Sequence, residues 1–242
     1  MPSQYSYLGG GLILLTFWGI IFLARKDLRR EIIWASLVGL PFGFIERLFV
    51  PYYWYPASLF NLMRQYGFGL EGFLYSFCVA GIAAVIYEFL EKRKTVKIKR
   101  DKKLHLGPFI IFILVYVILE IFSPANPMLD LTVAFVCGAV ITALVRPDLL
   151  RQILISGLTF GVFYFIFFAL VNAMFGNFVS QFYSPQVFGN FKFIGVPLEE
   201  IIGAFAGGAF WSTLYEYTKA YREEAIPHTK KEAPSRSVRS KC

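Results

Sequence analysis

The sequence predicts an all-α polytopic membrane bundle of seven transmembrane helices, and three observations carry that prediction. Of 242 residues, 57% are apolar, 19% aromatic and only 17% charged, more apolar surface than one soluble core of this length hides. Seven stretches approach the roughly 20 mainly apolar residues that a spanning helix needs. The basic residues behind the formal charge of +8 collect in alternate connections between those stretches. That distribution is a topology signal and excludes a nucleic-acid surface as its explanation. No recurring period-two alternation supports a membrane β-barrel.

The expected spans are 7–24, 32–50, 69–90, 107–122, 128–145, 153–175 and 194–217. RKDLRR (25–30) follows the first, EKRKTVKIKRDKK (91–103) the third, RPDLLR (146–151) the fifth, and a Lys/Arg-rich tail the last. The positive-inside rule then puts the N-terminus outside and the C-terminus in the cytoplasm of a multi-pass plasma-membrane protein. Aromatic PYYWYP (51–56) falls at the outer boundary, where amphipathic rings favour the headgroup layer. The first stretch lacks a basic n-region and is followed by positive charge, so it reads as a retained span rather than a signal peptide. Cys78 and Cys137 lie within spans and Cys242 ends the chain, so neither a disulfide framework nor a metal site is expected. Cys242 is a weak palmitoylation candidate.

Two segments recur. RKDLRREIIWASL (25–37) aligns with RPDLLRQILISGL (146–158), an offset of 121, and GFGLEGFLYSFCVAGIAAVIYEF (67–89) with GVPLEEIIGAFAGGAFWSTLYEY (195–217), an offset of 128. Residues 1–220 therefore form one transmembrane domain: a three-helix repeat over 7–90, a connector helix over 107–122, and a parallel second repeat over 128–217. Residues 221–242 form a polar tail, expected to be disordered. The repeated RxDLxR strings and the pairs Tyr87/Glu88 and Tyr215/Glu216 fall at the inner boundary, where mutual neutralisation and helix capping account for them.

Acidic residues within spans demand a reason, since an ionised group at the bilayer centre costs at least about 2.5–3.5 kcal/mol. Glu46, Glu71, Glu199 and Glu200 share one depth near the outer face, with Arg47 and Arg64 as expected counter-charges; Glu120 and Asp130 are expected to mark the membrane surface. Pro197 suits the first turn of the last helix, and capping that positive helix end is the simplest role for the acids after it. Against that stand the recurrence of Glu199 as Glu71 and the roughly 100° between adjacent helical side chains, which turns one of Glu199 and Glu200 toward protein. Neighbouring carboxyls in a dry site divide into a proton donor and a proton acceptor.

GVPLEE (195–200), followed by a helix of small and aromatic residues ending in Tyr-Glu-Tyr, resembles the Pro-x-Glu-Glu signature of the lycopene cyclase domain family, and the duplicated three-span unit resembles its architecture. The signature falls on Pro197, Glu199 and Glu200; the first repeat has GLEG (69–72), with Gly72 where the second has Glu200. The resemblance implies an isoprenoid or carotenoid cyclase acting on a lipid-soluble polyene that enters from membrane lipid. Glu199 or Glu200 would protonate a terminal double bond, and Glu71 or Glu46 would accept a proton after ring closure. Phe68, Phe73, Phe193 and Trp211, beside Pro197 and its motif, are the candidate substrate contacts that would stabilise a cation.

The reaction involves no net redox change, so no cofactor is expected, although a reduced flavin or nicotinamide on an unfamiliar surface stays open. No dinucleotide fingerprint occurs. The competing reading is a small-substrate or proton-coupled transporter of three-plus-one-plus-three topology. The sequence is silent on oligomeric state.

Overall fold

A computed structural model describes residues 5–91, 93–97, 106–122, 126–176, 178–184, 191–219 and 221–225. The chain is helical nearly throughout. The long helices are α1 (Ser6–Ala24) and α2 (Arg29–Gly39), which continues through a 3-10 stretch (Leu40–Ile45) into α3 (Glu46–Phe49). After the short α4 (Leu62–Tyr66) come α5 (Leu70–Glu91), α6 (Gly107–Phe122), α7 (Pro127–Val145) and α8 (Leu150–Met174). The short α9 (Phe178–Phe182) precedes α10 (Leu198–Lys219).

Among the described residues, five helical segments are long and apolar enough to cross a membrane: Ser6–Ala24, Arg29–Phe49, Leu70–Glu91, Pro127–Val145 and Pro147–Met174. The 16 residues of α6 are apolar but short, and α10 carries Glu199, Glu200, Glu216 and Lys219.

Two helices form the centre. α5 packs against α1 and α2, α10 packs against α7 and α8, and α5 and α10 pack on each other, while α6 leans on α7. Small residues allow these approaches. A Cβ on Gly208 of α10 would lie 2.6 Å from the Phe160 Cβ and 2.9 Å from the Ser156 carbonyl oxygen of α8, so only glycine fits there.

Pro41 explains the 3-10 stretch. It has no N–H to donate and its ring clashes with the preceding turn, so the helix tightens over six residues before Glu46. Mid-helix 3-10 turns often mark functional positions; this one, with Gly39 and Glu46 on its two sides, lines a cavity through Phe42, Gly43 and Ile45.

The two RxDLxR strings adopt one local structure. Arg25 and Arg146 end α1 and α7 at φ/ψ of −120/85° and −128/73°. Each guanidinium forks onto the aspartate two residues on, Arg25 to Asp27 at 3.0 and 2.8 Å and Arg146 to Asp148 at 2.8 and 2.6 Å. These hydrogen bonds to Arg25 hold the Asp27 carboxyl below the ordinary aspartate range.

Within the basic connection after α5, β1 (Arg93–Lys97) pairs antiparallel with β4 (Tyr221–Ala225), so the segment expected to be a disordered tail opens with a paired strand. Cys242 lies outside the described residues. Before α10, β2 (Lys192–Phe193) pairs with β3 (Val196–Pro197).

Candidate active site

An apolar cavity of about 220 Å³ lies between the α2–α3 segment and α5 on one side and α7, α8 and α10 on the other. Its wall is aromatic and aliphatic, with Phe42, Phe135, Phe168 and Trp211 among the rings. Two carboxyls open into it, those of Glu46 and Glu200, from residues only 7% and 5% exposed. Each needs hydrogen-bond donors to tolerate such burial.

Glu46 receives two. The Tyr7 hydroxyl donates to its Oε1 at 2.6 Å and the Gly69 N–H to its Oε2 at 2.9 Å. Gly72 makes room for this carboxyl: a Cβ there would collide with Glu46 Oε2. Glu200 sits in the first turn of α10, where the positive helix end favours an acid. The Tyr53 hydroxyl donates to its Oε1 at 2.8 Å, and Tyr183 faces the same carboxyl. Burial, and then the Glu200 charge, push both tyrosines well above the ordinary phenol range, so they stay protonated donors at physiological pH.

The connections place these tyrosines. Trp54 and Tyr183 form an antiparallel bridge, the Tyr55 N–H donates to the Phe182 carbonyl at 2.7 Å, and the Ser184 N–H to the Tyr53 carbonyl at 2.9 Å. PYYWYP is thus pinned to the end of α9. Trp54 also meets the Tyr7 ring edge to face at 4.8 Å, linking the two carboxyl partners. Tyr75 and Tyr164 line the same cavity, and Tyr75 lies close to both carboxyls.

The structure brings together Glu46, Glu200 and Trp211, and sets the other candidates elsewhere. Glu71 is buried but lies outside the cavity wall, its Oε1 accepting from the Leu59 N–H at 2.6 Å. It thereby braces a turn in which Phe60 and Asn61 have φ of 53° and 57°. Glu199 is buried beside Glu200, also outside the wall, and its Oε1 has no hydrogen-bond partner among the described residues.

Phe68 and Phe73 pack with Phe44 in a separate aromatic group, with ring separations of 4.7 to 5.9 Å. Phe193 is exposed on β2 against Phe165. Pro197 is buried on β3, just before α10.

Arg47 and Arg64, expected as counter-charges, are exposed and line a separate groove; tyrosine hydroxyls and backbone N–H groups satisfy Glu46 and Glu200 instead. Asp130, expected at the membrane surface, is only 5% exposed.

Sequence reasoning missed Tyr7, Tyr53 and Tyr183. A signal for Tyr53 was present, since it belongs to the aromatic string PYYWYP (51–56) that follows Glu46 closely, but nothing local separates it from the rings around it.

Apolar helices around an aromatic cavity with two tyrosine-bonded carboxyls describe a membrane protein. Residues 126–218, from α7 to α10, match the family model described as Lycopene cyclase. That family and the apolar helices together fit a membrane carotenoid cyclase. The matched stretch includes Glu199 and Glu200; Tyr7 and Glu46 lie before it. No curated protein and no solved structure matches the chain.

Proposed function

We propose that the chain is a membrane-embedded cyclase that closes a ring at the end of a linear carotenoid, with Glu200 as the acid and Glu46 as the base. The observation that carries this reading is the shared cavity: two carboxyls from different helices, each held by a tyrosine, face one apolar space. At about 220 Å³ it is smaller than pockets that enclose drug-sized ligands. One end of a long polyene would enter while the rest stays in the bilayer.

In the proposed reaction the Glu200 O–H bond breaks as its proton forms a C–H bond at the terminal double bond. The electron pair of a second double bond closes the ring, and Glu46 removes a proton beside the resulting cation to restore a double bond. One proton enters and one leaves, so the reaction is an isomerisation that uses no redox cofactor. Glu46 suits the base role because both its oxygens already accept hydrogen bonds. The rings of Phe42, Phe135 and Trp211 stand where they can face the cation, and exclusion of water protects it from quenching.

Seven spans with the N-terminus outside, in the plasma membrane, remain the topology we favour. The duplicated unit draws support from the matching Arg25–Asp27 and Arg146–Asp148 forks and from the parallel packing of α1 and α2 on α5 and of α7 and α8 on α10. With that alignment Glu46 fills, against Gly72, the place that Glu200 holds in the second unit. The transporter reading gains nothing from the family match.

The test is expression in a host that accumulates lycopene, with chromatography of the extracted pigments. Wild-type protein should convert linear to cyclic pigment, and Glu200→Gln should leave the linear pigment. Unconverted lycopene beside folded wild-type protein would refute this substrate.

A further inference from the structure

Arg47 and Arg64 line one open groove of about 560 Å³, together with Tyr55, Gln65 and Tyr66. Both are exposed, and neither guanidinium makes an ion pair or a hydrogen bond among the described residues. The acids nearest in sequence are engaged elsewhere: Glu46 accepts from the Tyr7 hydroxyl and the Gly69 N–H, and Glu71 from the Leu59 N–H.

The fold holds the two cations side by side. Gly67 ends α4 at φ of 78° and lays its backbone on the side chain of Arg47 from α3; a Cβ there would lie 3.2 Å from Arg47 Cγ. Arg64 stands three residues before Gly67. Met63 is buried and its N–H donates to Ser58 Oγ at 2.7 Å, so α4 is anchored through Met63 and leaves Arg64, Gln65 and Tyr66 exposed. Two like charges kept this near repel, and an anion between them removes the cost. The polar side chains that line the groove all donate hydrogen bonds, and none of them is a carboxylate.

The surroundings favour a lipid over a soluble anion. Arg47 belongs to the last turn of the membrane-crossing segment Arg29–Phe49, so the groove opens where that segment reaches the headgroup layer. Tyr52 and Phe60, close to the groove residues in sequence, are 83% and 78% exposed, and Tyr66 on its wall is 56% exposed. Phe60 keeps its ring outward from φ of 53°, a backbone conformation that is costly for a bulky residue. Amphipathic rings favour the headgroup layer, whereas a free ion gains nothing from them.

We propose that this groove binds the phosphodiester of an anionic membrane lipid, with Arg47 and Arg64 forking onto its oxygens and Tyr55, Gln65 and Tyr66 donating beside them. Arginine suits the role because its planar fork matches two phosphate oxygens at once. Tyr52 and Phe60 lie in the lipid next to the bound headgroup. The site is independent of the ring closure proposed above.

The test uses the full chain in detergent, with phosphatidylglycerol or phosphatidylcholine added to the micelles and hydrogen exchange followed by mass spectrometry over residues 47–67. Phosphatidylglycerol should slow exchange in α4, and phosphatidylcholine should not. Arg47→Gln and Arg64→Gln should each raise the phosphatidylglycerol content needed for half the effect about fivefold, the worth of one cation at an anionic lipid surface. Because both side chains are exposed, the variants should keep the wild-type Tm. High NaCl should weaken the effect in the wild type, and millimolar inorganic phosphate should neither reproduce nor abolish it. Protection by inorganic phosphate alone would assign the groove to a soluble anion and overturn the lipid. No slowing by phosphatidylglycerol, equal slowing by the two lipids, or an effect unchanged in the doubly substituted chain would overturn the site.

Discussion

Gly72 and Glu46 share one place in the cavity wall. A Cβ on Gly72 would strike Glu46 Oε2, while Tyr7 holds the other oxygen from behind at 2.6 Å. The carboxyl cannot step aside without breaking that bond. Gly72→Ala should therefore cost about 1–3 kcal/mol of stability through overpacking and lower cyclisation at least about tenfold by misplacing Glu46. Thermal unfolding and pigment conversion measured on the same preparation check both halves. A Gly72→Ala protein with wild-type conversion would show that the position of Glu46 is unimportant.

Adjacent acids at the start of α10 should separate in function. Glu200 faces the cavity and Glu199 does not. Glu200→Gln should reduce conversion roughly 10²–10⁴-fold, the usual worth of a general acid, while Glu199→Gln should retain most of it. Initial rates at matched amounts of folded protein give the comparison, and the reverse order would move the acid to Glu199.

Tyr53 acts by holding Glu200. Removing its hydroxyl in Tyr53→Phe takes away the donor to Oε1 but leaves Tyr183 at the same carboxyl. The expected loss is about 1–3 kcal/mol of stability, the cost of leaving a buried acceptor without its donor, with a smaller fall in rate than Glu200→Gln produces. Unfolding midpoints and rates of the two variants test this ordering.

The fork between Arg25 and Asp27 predicts a response to acid. Because Arg25 holds the Asp27 carboxyl below its ordinary value, the pair contributes stability above the unfolded-state pKa of about 3.9. That contribution disappears as pH falls through the lower folded value. Asp27→Asn should flatten this acid-side part of a Tm-against-pH curve and lower stability slightly at neutral pH. Identical curves for both proteins would deny the fork a role.

The helices were legible because they are written in long runs of apolar residues. The expected stretch 107–122 coincides with α6, and 128–145 falls one residue short of α7. Glu46 and Glu200, which line one cavity, stood out as candidates too, since a carboxylate inside an apolar run is costly. Which of Glu199 and Glu200 meets the cavity was not, because adjacent residues leave a helix in different directions and only the packing of α10 on α7 and α8 selects one.

The tyrosine partners were hidden for a related reason. Tyr53 reaches Glu200 across 147 positions and Tyr7 reaches Glu46 across 39, and no local pattern records either meeting. The space beside Gly72 is filled by the carboxyl of Glu46, 26 positions earlier in the chain, a pairing that no local pattern marks. Arg47 and Arg64 misled because charge alone suggested ion pairs, whereas exposed arginines keep their water and buried carboxyls take nearby hydroxyls and amides.

The most direct test is cyclisation of lycopene by wild-type protein in liposomes made up in D₂O, with the product examined by mass spectrometry. Proton transfer from Glu200, whose carboxyl exchanges with solvent between turnovers, should place a single deuterium in each ring formed, and Glu200→Gln should form essentially no rings. Rings without deuterium, or rings made by Glu200→Gln at the wild-type rate, would contradict the account.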